Sequence, residues 1–501
     1  MKLWLRKLFE ITDKLFNQAF TPGSNPMLQL GTMGWFFYWI VIVSGIYLYI
    51  FYDPGITQAY ESVHDLTHEQ WYAGGIMRSL HRYASDALVI VIFLHMLREF
   101  SMDRFHGPRG FTWVFGVATL WLLYASGITG FWIIWDRLAQ YIAVSTTEWL
   151  DALPLFGESI ARNFLHPGAL SGRFFTLFVF IHIALPLFML LLMWIHIQRI
   201  TAPRVTPPRI LAFGTLAILF LMSLISPVTS QEPANLATVP SVINLDWFYM
   251  FFYPLLDVYP GLYLWAVLFF LSGLLLVLPW LTTSQPGPAA KVDLDNCNGC
   301  GRCVSDCPYN AVSLQPRSDG LPFGKEAVVK NNLCVSCGIC AGACPTATPF
   351  RRRSALVPGI ELPDFSVMKL KNEILEQAKQ FNGSGRIFIF GCDHGNKIRN
   401  MKIPNVSAIS LPCIGMLPPS FLDLILSKDI ADGVLLAGCH ENNCFHRQGI
   451  NWTEQRIARK RDPYLRDRVP REKINFLRTG ETGENQMKKE IDSFRTKLDG
   501  V

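Results

Sequence analysis

Four histidines lie in apolar stretches, two on each of two segments: His81 with His95, and His182 with His196. Both pairs are fourteen residues apart. On a helix, fourteen residues turn through about 1400°, about 40° short of four turns, and rise about 21 Å. Each pair therefore shares one helix face at two depths of a bilayer. If the helices face each other, His81 meets His182 and His95 meets His196. Imidazoles on both sides of one iron are the ligation of a b-type haem, so the pattern specifies two haems stacked across a membrane and a path for electrons. Four separate interhelical hydrogen bonds are the bland alternative. Ionisable groups at membrane depth are rare and by default functional, and the repeated interval favours ligation. Glycines keep the same interval: Gly31 and Gly45, then Gly116 and Gly130. Without a Cβ they allow a flat macrocycle to approach the backbone closely, although small residues also serve helix packing in membranes.

All twelve cysteines follow the last apolar stretch and fall into three groups of four. Cys297, Cys300, Cys303 and Cys307 precede Pro308; Cys334, Cys337, Cys340 and Cys344 precede Pro345. Each is the C-x-x-C-x-x-C-x-x-x-C-P run of a bacterial two-cluster ferredoxin, in which the fourth cysteine serves the other cluster. Cluster one is then expected on Cys297, Cys300, Cys303 and Cys344, and cluster two on Cys334, Cys337, Cys340 and Cys307. Paired C-x-x-C motifs also bind zinc, but two complete runs with their prolines point to two 4Fe–4S clusters. The third group, Cys392, Cys413, Cys439 and Cys444, is looser. GRIFIFGC reads as a strand ending in a cysteine, and SLPCIGMLPPSFLDLILSKDIADGVLLAGCHENNC as strand end, helix and buried strand. Cysteines at successive strand ends can converge at one edge of a small α/β sheet. Spacing alone supports zinc there almost as well as iron and sulfur. His394, His440 and His446 lie nearby and read as solvated loop histidines.

The elements that must hold these residues divide the chain of 501 residues. Six apolar segments are long enough to be considered as spans of a ~30 Å hydrocarbon core. They run over 33–51, 73–100, 111–135, 174–197, 210–225 and 262–281, the fifth being the shortest. Lys2, Arg6, Lys7 and Lys14 precede the first, Arg98, Arg104 and Arg109 flank the second, and Arg199, Arg204 and Arg209 follow the fourth. The loops 52–72 and 227–261 hold no Lys or Arg. The positive-inside rule puts both termini and all cysteines in the cytoplasm, with His81 and His182 toward the outer face of an inner membrane. Disulfides are disfavoured on that reducing side. The basic, amphipathic segment 1–20 lacks the features of a removable signal and is expected to lie on the membrane surface. The expected organisation is a transmembrane domain 1–281, a linker 282–291 too short to let the next domain roam, a ferredoxin domain 292–352, a connector 353–385, and an iron–sulfur domain with tail 386–501. The tail after Asn451 is dense in Arg, Lys and Glu, with Ile474, Phe476 and Leu477 among its periodic apolar residues, and reads as a solvated helical face.

The stretch MRSLHRYASDALVIVIFLHMLREF resembles the second helix of cytochrome b from quinol-oxidising bc and bf complexes. GITGFWIIWDRLAQYIA resembles the segment after that family's third helix, and LPLFGESIARNF its surface helix before the fourth. The resemblance covers about residues 1–281. It implies haem ligation by the four histidines and pairing of Arg78 and Arg98 with haem propionates, a role suited to a permanently charged, two-pronged donor. Snorkelling is the plain reading of Arg98 at its helix end. NLDWFYMFFYPLLD resembles the region of the family's Pro-Glu-Trp-Tyr motif at the outer quinol site. Here the tetrad is Leu245, Asp246, Trp247 and Phe248, and Ile134-Trp135 replaces the family's Pro-Trp. Asp246 is the candidate proton acceptor; the alternative is that it only starts a helix. Residues 386–477 resemble the delta subunit of methyl-viologen-reducing hydrogenases, which implies a 2Fe–2S cluster on the third cysteine group and a flavoprotein partner of heterodisulfide-reductase type.

The expected fold is mainly α: a six-helix di-haem bundle, then a ferredoxin-like domain with two 4Fe–4S clusters, then a small α/β domain. No G-x-G-x-x-G after a strand and no P-loop is present, and no basic patch interleaved with aromatics points to nucleic acid. The chain is thus expected to be the electron-transfer subunit of a quinone oxidoreductase, linking quinone to a cytoplasmic heterodisulfide-reductase-like or hydrogenase-like partner. The other subunits expected are a flavoprotein, a hydrogenase-like protein, or a Rieske or cytochrome c type. A membrane anchor and wire without its own quinone site is the competing expectation.

Overall fold

A computed structural model describes residues 2–21, 23–155, 159–160, 165, 170–198, 203–240, 242–281, 287–320, 322–351, 356–395, 398, 403–439, 443–478 and 484–498. The chain forms two compact units, one spanning Met1–Gln198 with Pro203–Thr282, the other mainly Thr283–Val501. The surface-helix segment 153–164 lies largely outside the described residues.

The first unit is helical: α1 (Lys2–Ala19), α2 (Leu30–Phe51), α3 (Gln58–His68), α4 (Ile76–Ser101), α5 (Pro108–Trp132), α6 (Arg137–Asp151), α7 (Gly172–Gln198), α8 (Arg209–Ile225) and α9 (Gly261–Leu281). A π-helical turn, Trp71–Gly75, leads into α4. Among the described residues, five helices are long and apolar enough to cross a membrane: α2, α4 with its π turn, α5, α7 and α9. Arg209–Ile225 is apolar but has only 17 residues. Helix α5 begins on Pro108, where a missing N–H costs nothing. It stops at Trp132 rather than Trp135, because Asp136 caps α6 by accepting from Ala139 N at 2.9 Å. Between the two, Trp135 is buried with φ +57°, a left-handed backbone that a bulky residue rarely adopts. Helix α2 packs on α4, and α5 on α7, so each histidine-bearing helix lies against a glycine-bearing one.

The second unit is α/β. Antiparallel pairs join β1 (Lys291–Val292) to β4 (Ile360–Glu361) and β2 (Val312–Pro316) to β3 (Lys325–Val329). The short helices α10 (Arg302–Asp306) and α11 (Ile339–Ala343) lie within the two cysteine runs. Helix α12 (Val367–Ala378) occupies the expected connector, capped by Ser366. The remaining strands, β5 (Ile387–Cys392), β6 (Val406–Leu411), β7 (Gly433–Gly438) and β8 (Ile474–Arg478), form a parallel sheet in the order β6-β5-β7-β8. Strands β5 and β7 are buried at every residue, as central parallel strands with both faces covered must be. Helices α13 (Pro419–Ser427), α14 (Gly449–Ile457) and α15 (Glu484–Leu498) complete the unit. The tail departs from the expected solvated helix. Ile474, Phe476 and Leu477 are on β8, and Met487, Ile491 and Phe494 of α15 are buried against the sheet.

Candidate redox centres

His81 and His182 face each other with ring centroids 6.3 Å apart. That is about the span of two imidazoles bonded through their outer nitrogens to one ion between them, with metal–nitrogen bonds near 2 Å. Their inner nitrogens are engaged by backbone. His81 Nδ1 lies 3.0 Å from Val41 O, His182 Nδ1 2.9 Å from Ser126 O, and His196 Nδ1 3.0 Å from Thr112 O. A carbonyl only accepts, so in each case Nδ1 carries the proton and Nε2 keeps its lone pair for a metal. Ser44 and Thr129 hydroxyls stand 3.2 and 3.3 Å from the same nitrogens of His81 and His182.

The glycines act on the histidines first, not directly on a macrocycle. Each accepting carbonyl lies four residues before a glycine: Val41 before Gly45, Ser126 before Gly130, Thr112 before Gly116. Absence of the Cβ clears the helix surface so that an imidazole edge reaches the carbonyl. An added Cβ would lie 2.8 Å from His182 Cε1 at Gly130 and 3.0 Å from His81 Cε1 at Gly45. At Gly31 it would lie 3.4 Å from His95 Cε1, and at Gly116 3.7 Å from His196 Cε1. Gly130→Ala is therefore expected to lower haem content, whereas Gly116→Ala, at ordinary contact distance, leaves it unchanged. Reduced-minus-oxidised spectra of the two purified variants check this, and equal losses would remove the steric explanation.

The arginines are engaged by protein. Arg78 is buried and donates to Thr67 Oγ1 and, at 2.8 Å, to Ser230 Oγ. Arg98 is 4% exposed and grips both oxygens of Asp13 at 2.9 and 2.7 Å, so it does not snorkel. It holds the amphipathic helix α1 against α4. Asp246 is 8% exposed. Its Oδ1 accepts from Tyr249 N at 2.7 Å, and its Oδ2 is paired with Arg82. Arg82 also pairs with Asp86 one turn along α4 and lies over the Phe131 ring. The candidate proton acceptor thus caps a turn and belongs to an acid–arginine–acid cluster. The sequence reading passed over Arg82 and Asp86, although two charges four residues apart in an apolar span were a visible signal.

In the second unit the cysteines line two cavities. Cys297, Cys300 and Cys303 share one with Cys344. Cys334, Cys337 and Cys340 share the other with Cys307. The two runs repeat one backbone thirty-seven residues apart, left-handed at Gly299 and Gly301 and again at Ser336 and Gly338. A Cβ on Gly299 would strike Lys325 O at 2.2 Å. These turns aim successive thiols at one point. Burial, then the adjacent Cys344, Cys300 and Cys297, pushes the Cys303 thiol up to about 12. Thiols so placed ionise only around positive charge, which iron supplies.

The third group gathers at the C-terminal ends of three parallel strands. Cys392 ends β5, Cys413 follows β6 by two residues, and Cys439 immediately follows β7. Cys392 and Cys439 sulfurs are 3.7 Å apart. A Cβ on Gly449 would meet Cys413 Sγ at 2.2 Å and Cys444 Sγ at 3.8 Å, so glycine is what lets these two approach. All four are buried. Of the nearby histidines, His394 is exposed and stacks on Phe445, while His440 lies outside the described residues. His446 is not solvated: it is 4% exposed, with Nδ1 3.0 Å from the Tyr309 hydroxyl.

Residues 17–202 match the family Cytochrome b/b6/petB. Residues 296–348 match the 4Fe-4S dicluster domain, and residues 391–501 match Methyl-viologen-reducing hydrogenase, delta subunit. The chain joins three redox domains in that order. Cytochrome b6 of Porphyra purpurea is 28% identical over 213 residues, covering 41% of this chain and 97% of that protein. Cytochrome b of Cyanidium caldarium is 27% identical over 273 residues, covering 48% and 70%. A solved chain described as Hyperthermophilic respiratory Complex III aligns with TM-score 0.43 and 20% identity, covering 54% of this chain and 80% of that one. The cytochrome b region implies b haems and the dicluster region 4Fe–4S clusters. This is a multi-pass membrane electron-transfer subunit of an oxidoreductase.

Proposed function

We propose that this subunit links the membrane quinone pool, through two b haems and three iron–sulfur clusters, to a cytoplasmic heterodisulfide-reductase-like or hydrogenase-like partner. The haems and clusters, when bound, supply one-electron redox chemistry that side chains lack. The observation that carries the reading is the His81–His182 pair, spaced for one ion and with Nδ1 of each ring engaged by a helix carbonyl. His95 and His196 are proposed as the second pair, α8 as a sixth span, and the third cysteine group as the 2Fe–2S site. Arg78 and Arg98 are proposed to face haem propionates, which would take the place of their present partners Ser230 and Asp13. Positive-inside loops favour cytoplasmic termini and cysteines. Inward electron flow would then oppose a membrane potential positive outside, at ~2.3 kcal/mol per charge per 100 mV. Quinol oxidation at the outer side would therefore need a strong redox drive from a further subunit, whereas quinone reduction by low-potential cytoplasmic donors would not.

A second reading is favoured by one observation. Asp246 is paired with Arg82 and capped onto a turn, which suits an anchor and wire without an outer quinone site. Asp246→Asn separates the two. Asparagine keeps the capping oxygen, and Arg82 retains Asp86. With an active outer site, quinol-driven haem reduction is expected to fall about 10²-fold while haem content is unchanged. An unchanged rate selects the wire. Purifying the native assembly and identifying its flavoprotein, hydrogenase or Rieske subunit tests the partner.

A further inference from the structure

We infer that the third cysteine group exchanges electrons directly with the cubane site of Cys307, Cys334, Cys337 and Cys340, and that Tyr309, His446 and Arg456 hold these two ligand sets together. This rests on reading all three cysteine groups as iron–sulfur ligands.

Three contacts join the two sets. Tyr309 stands two residues after Cys307, and His446 two residues after Cys444; their hydroxyl and Nδ1 are 3.0 Å apart in a buried place. The turn after Cys413 packs on the segment between Cys337 and Cys344. A Cβ on Gly338 would lie 2.7 Å from the Met416 sulfur, and one on Gly342 would lie 2.1 Å from Gly415 O. Arg456 is fully buried and ties three ligand segments at once. Its guanidinium donates to Gly415 O at 2.8 Å, to Ile339 O at 3.4 Å and to Asp306 at 2.5 Å. Asp306 directly precedes Cys307, Ile339 precedes Cys340, and Gly415 follows Cys413 by two residues.

The other cubane site meets these contacts only at its edge, through Gly342 two residues before Cys344 and Asp306 three residues after Cys303. Its cavity is walled by Asn296, Asn298, Leu314, Ala327 and Gly359. Tyr309, Gly338 and Ile339, which face the third group, wall only the second cavity. The transfer moves one electron: the second site is oxidised by one as the third is reduced by one, or the reverse. No bond forms or breaks. The close approaches of Met416 to Gly338 and of Gly415 to Gly342 lie between the two ligand sets.

The test uses the full chain in detergent, reduced with dithionite, and reads the electron-spin relaxation of the third centre. Emptying the second site with Cys337→Ala plus Cys340→Ala is expected to abolish the fast relaxation that a neighbouring paramagnet imposes. Emptying the first with Cys297→Ala plus Cys300→Ala is expected to leave it. The opposite pattern overturns the proposal. Tyr309→Phe keeps every ligand and most of the packing. It is expected to slow electron arrival at the third centre at least severalfold after flash reduction, with iron and sulfide content unchanged. An unchanged rate removes the positioning role. A third group that contains stoichiometric zinc and gives no paramagnetic signal overturns the underlying reading instead, and is told apart by metal analysis.

Discussion

His182→Leu is expected to yield a full-length membrane protein that has lost one of the two proposed haems. The imidazole being removed is one half of a pair whose centroids are 6.3 Å apart, and its Nδ1 proton is committed to Ser126 O. Leucine offers no lone pair, so His81 would face an iron with an open side. The substitution replaces a polar group on an apolar helix by a residue that favours insertion. Loss of haem therefore cannot be put down to failed insertion of α7. Haemochrome content per chain should fall by half, and the remaining reduced α-band should come from the His95–His196 site. Full retention of both haems would show that His182 is a packing histidine and would remove the basis of the proposed path.

How far such chemistry could be read from residues alone depends on whether covalent geometry fixes the spacing. The fourteen-residue interval of the histidines and the C-x-x-C-x-x-C runs are dictated by helix pitch and by turn geometry, so they stand out in one dimension. The third cysteine group is legible only as strand endings, because parallel strands bring Cys392, Cys413 and Cys439 together through crossovers of different lengths. The pairing of Arg82 with Asp246 joins a helix to a distant loop, and no local pattern records it. His446 sits in a loop just after Cys444 and reads as solvated; tertiary closure onto Tyr309 is what buries it. Ile474 and Phe476 are two residues apart, the period of a strand. Surrounding charge hid that period and suggested a helical face. The role of the glycines was half legible. Their interval matched the histidines, but that Gly45, Gly116 and Gly130 each free the carbonyl four residues earlier for an imidazole follows only from the helix pairing.

Asp306→Asn is expected to destabilise the second unit by about 3–5 kcal/mol, because it removes the charge that balances a buried guanidinium. Arg456 and Asp306 side chains are 1% and 2% exposed, so water replaces nothing when the pair is broken. Arg461 also pairs with Asp306 but is 23% exposed and can turn to solvent; Arg456 cannot. Asparagine can still accept one hydrogen bond, which preserves the geometry and isolates the charge. An exposed pair gives the scale: Arg302–Asp462 at 3.1 Å, with side chains 34% and 42% exposed, should cost under about 1 kcal/mol when broken by Arg302→Gln. Against a domain stability of about 5–15 kcal/mol, only the buried lesion is large. Urea titration of the full chain, followed by bleaching of the iron–sulfur absorbance, should show a much lower midpoint for Asp306→Asn than for Arg302→Gln. Equal midpoints would mean that Arg456 finds other compensation, and that the junction between the cubane segments and the parallel sheet is held by packing rather than by this ion pair.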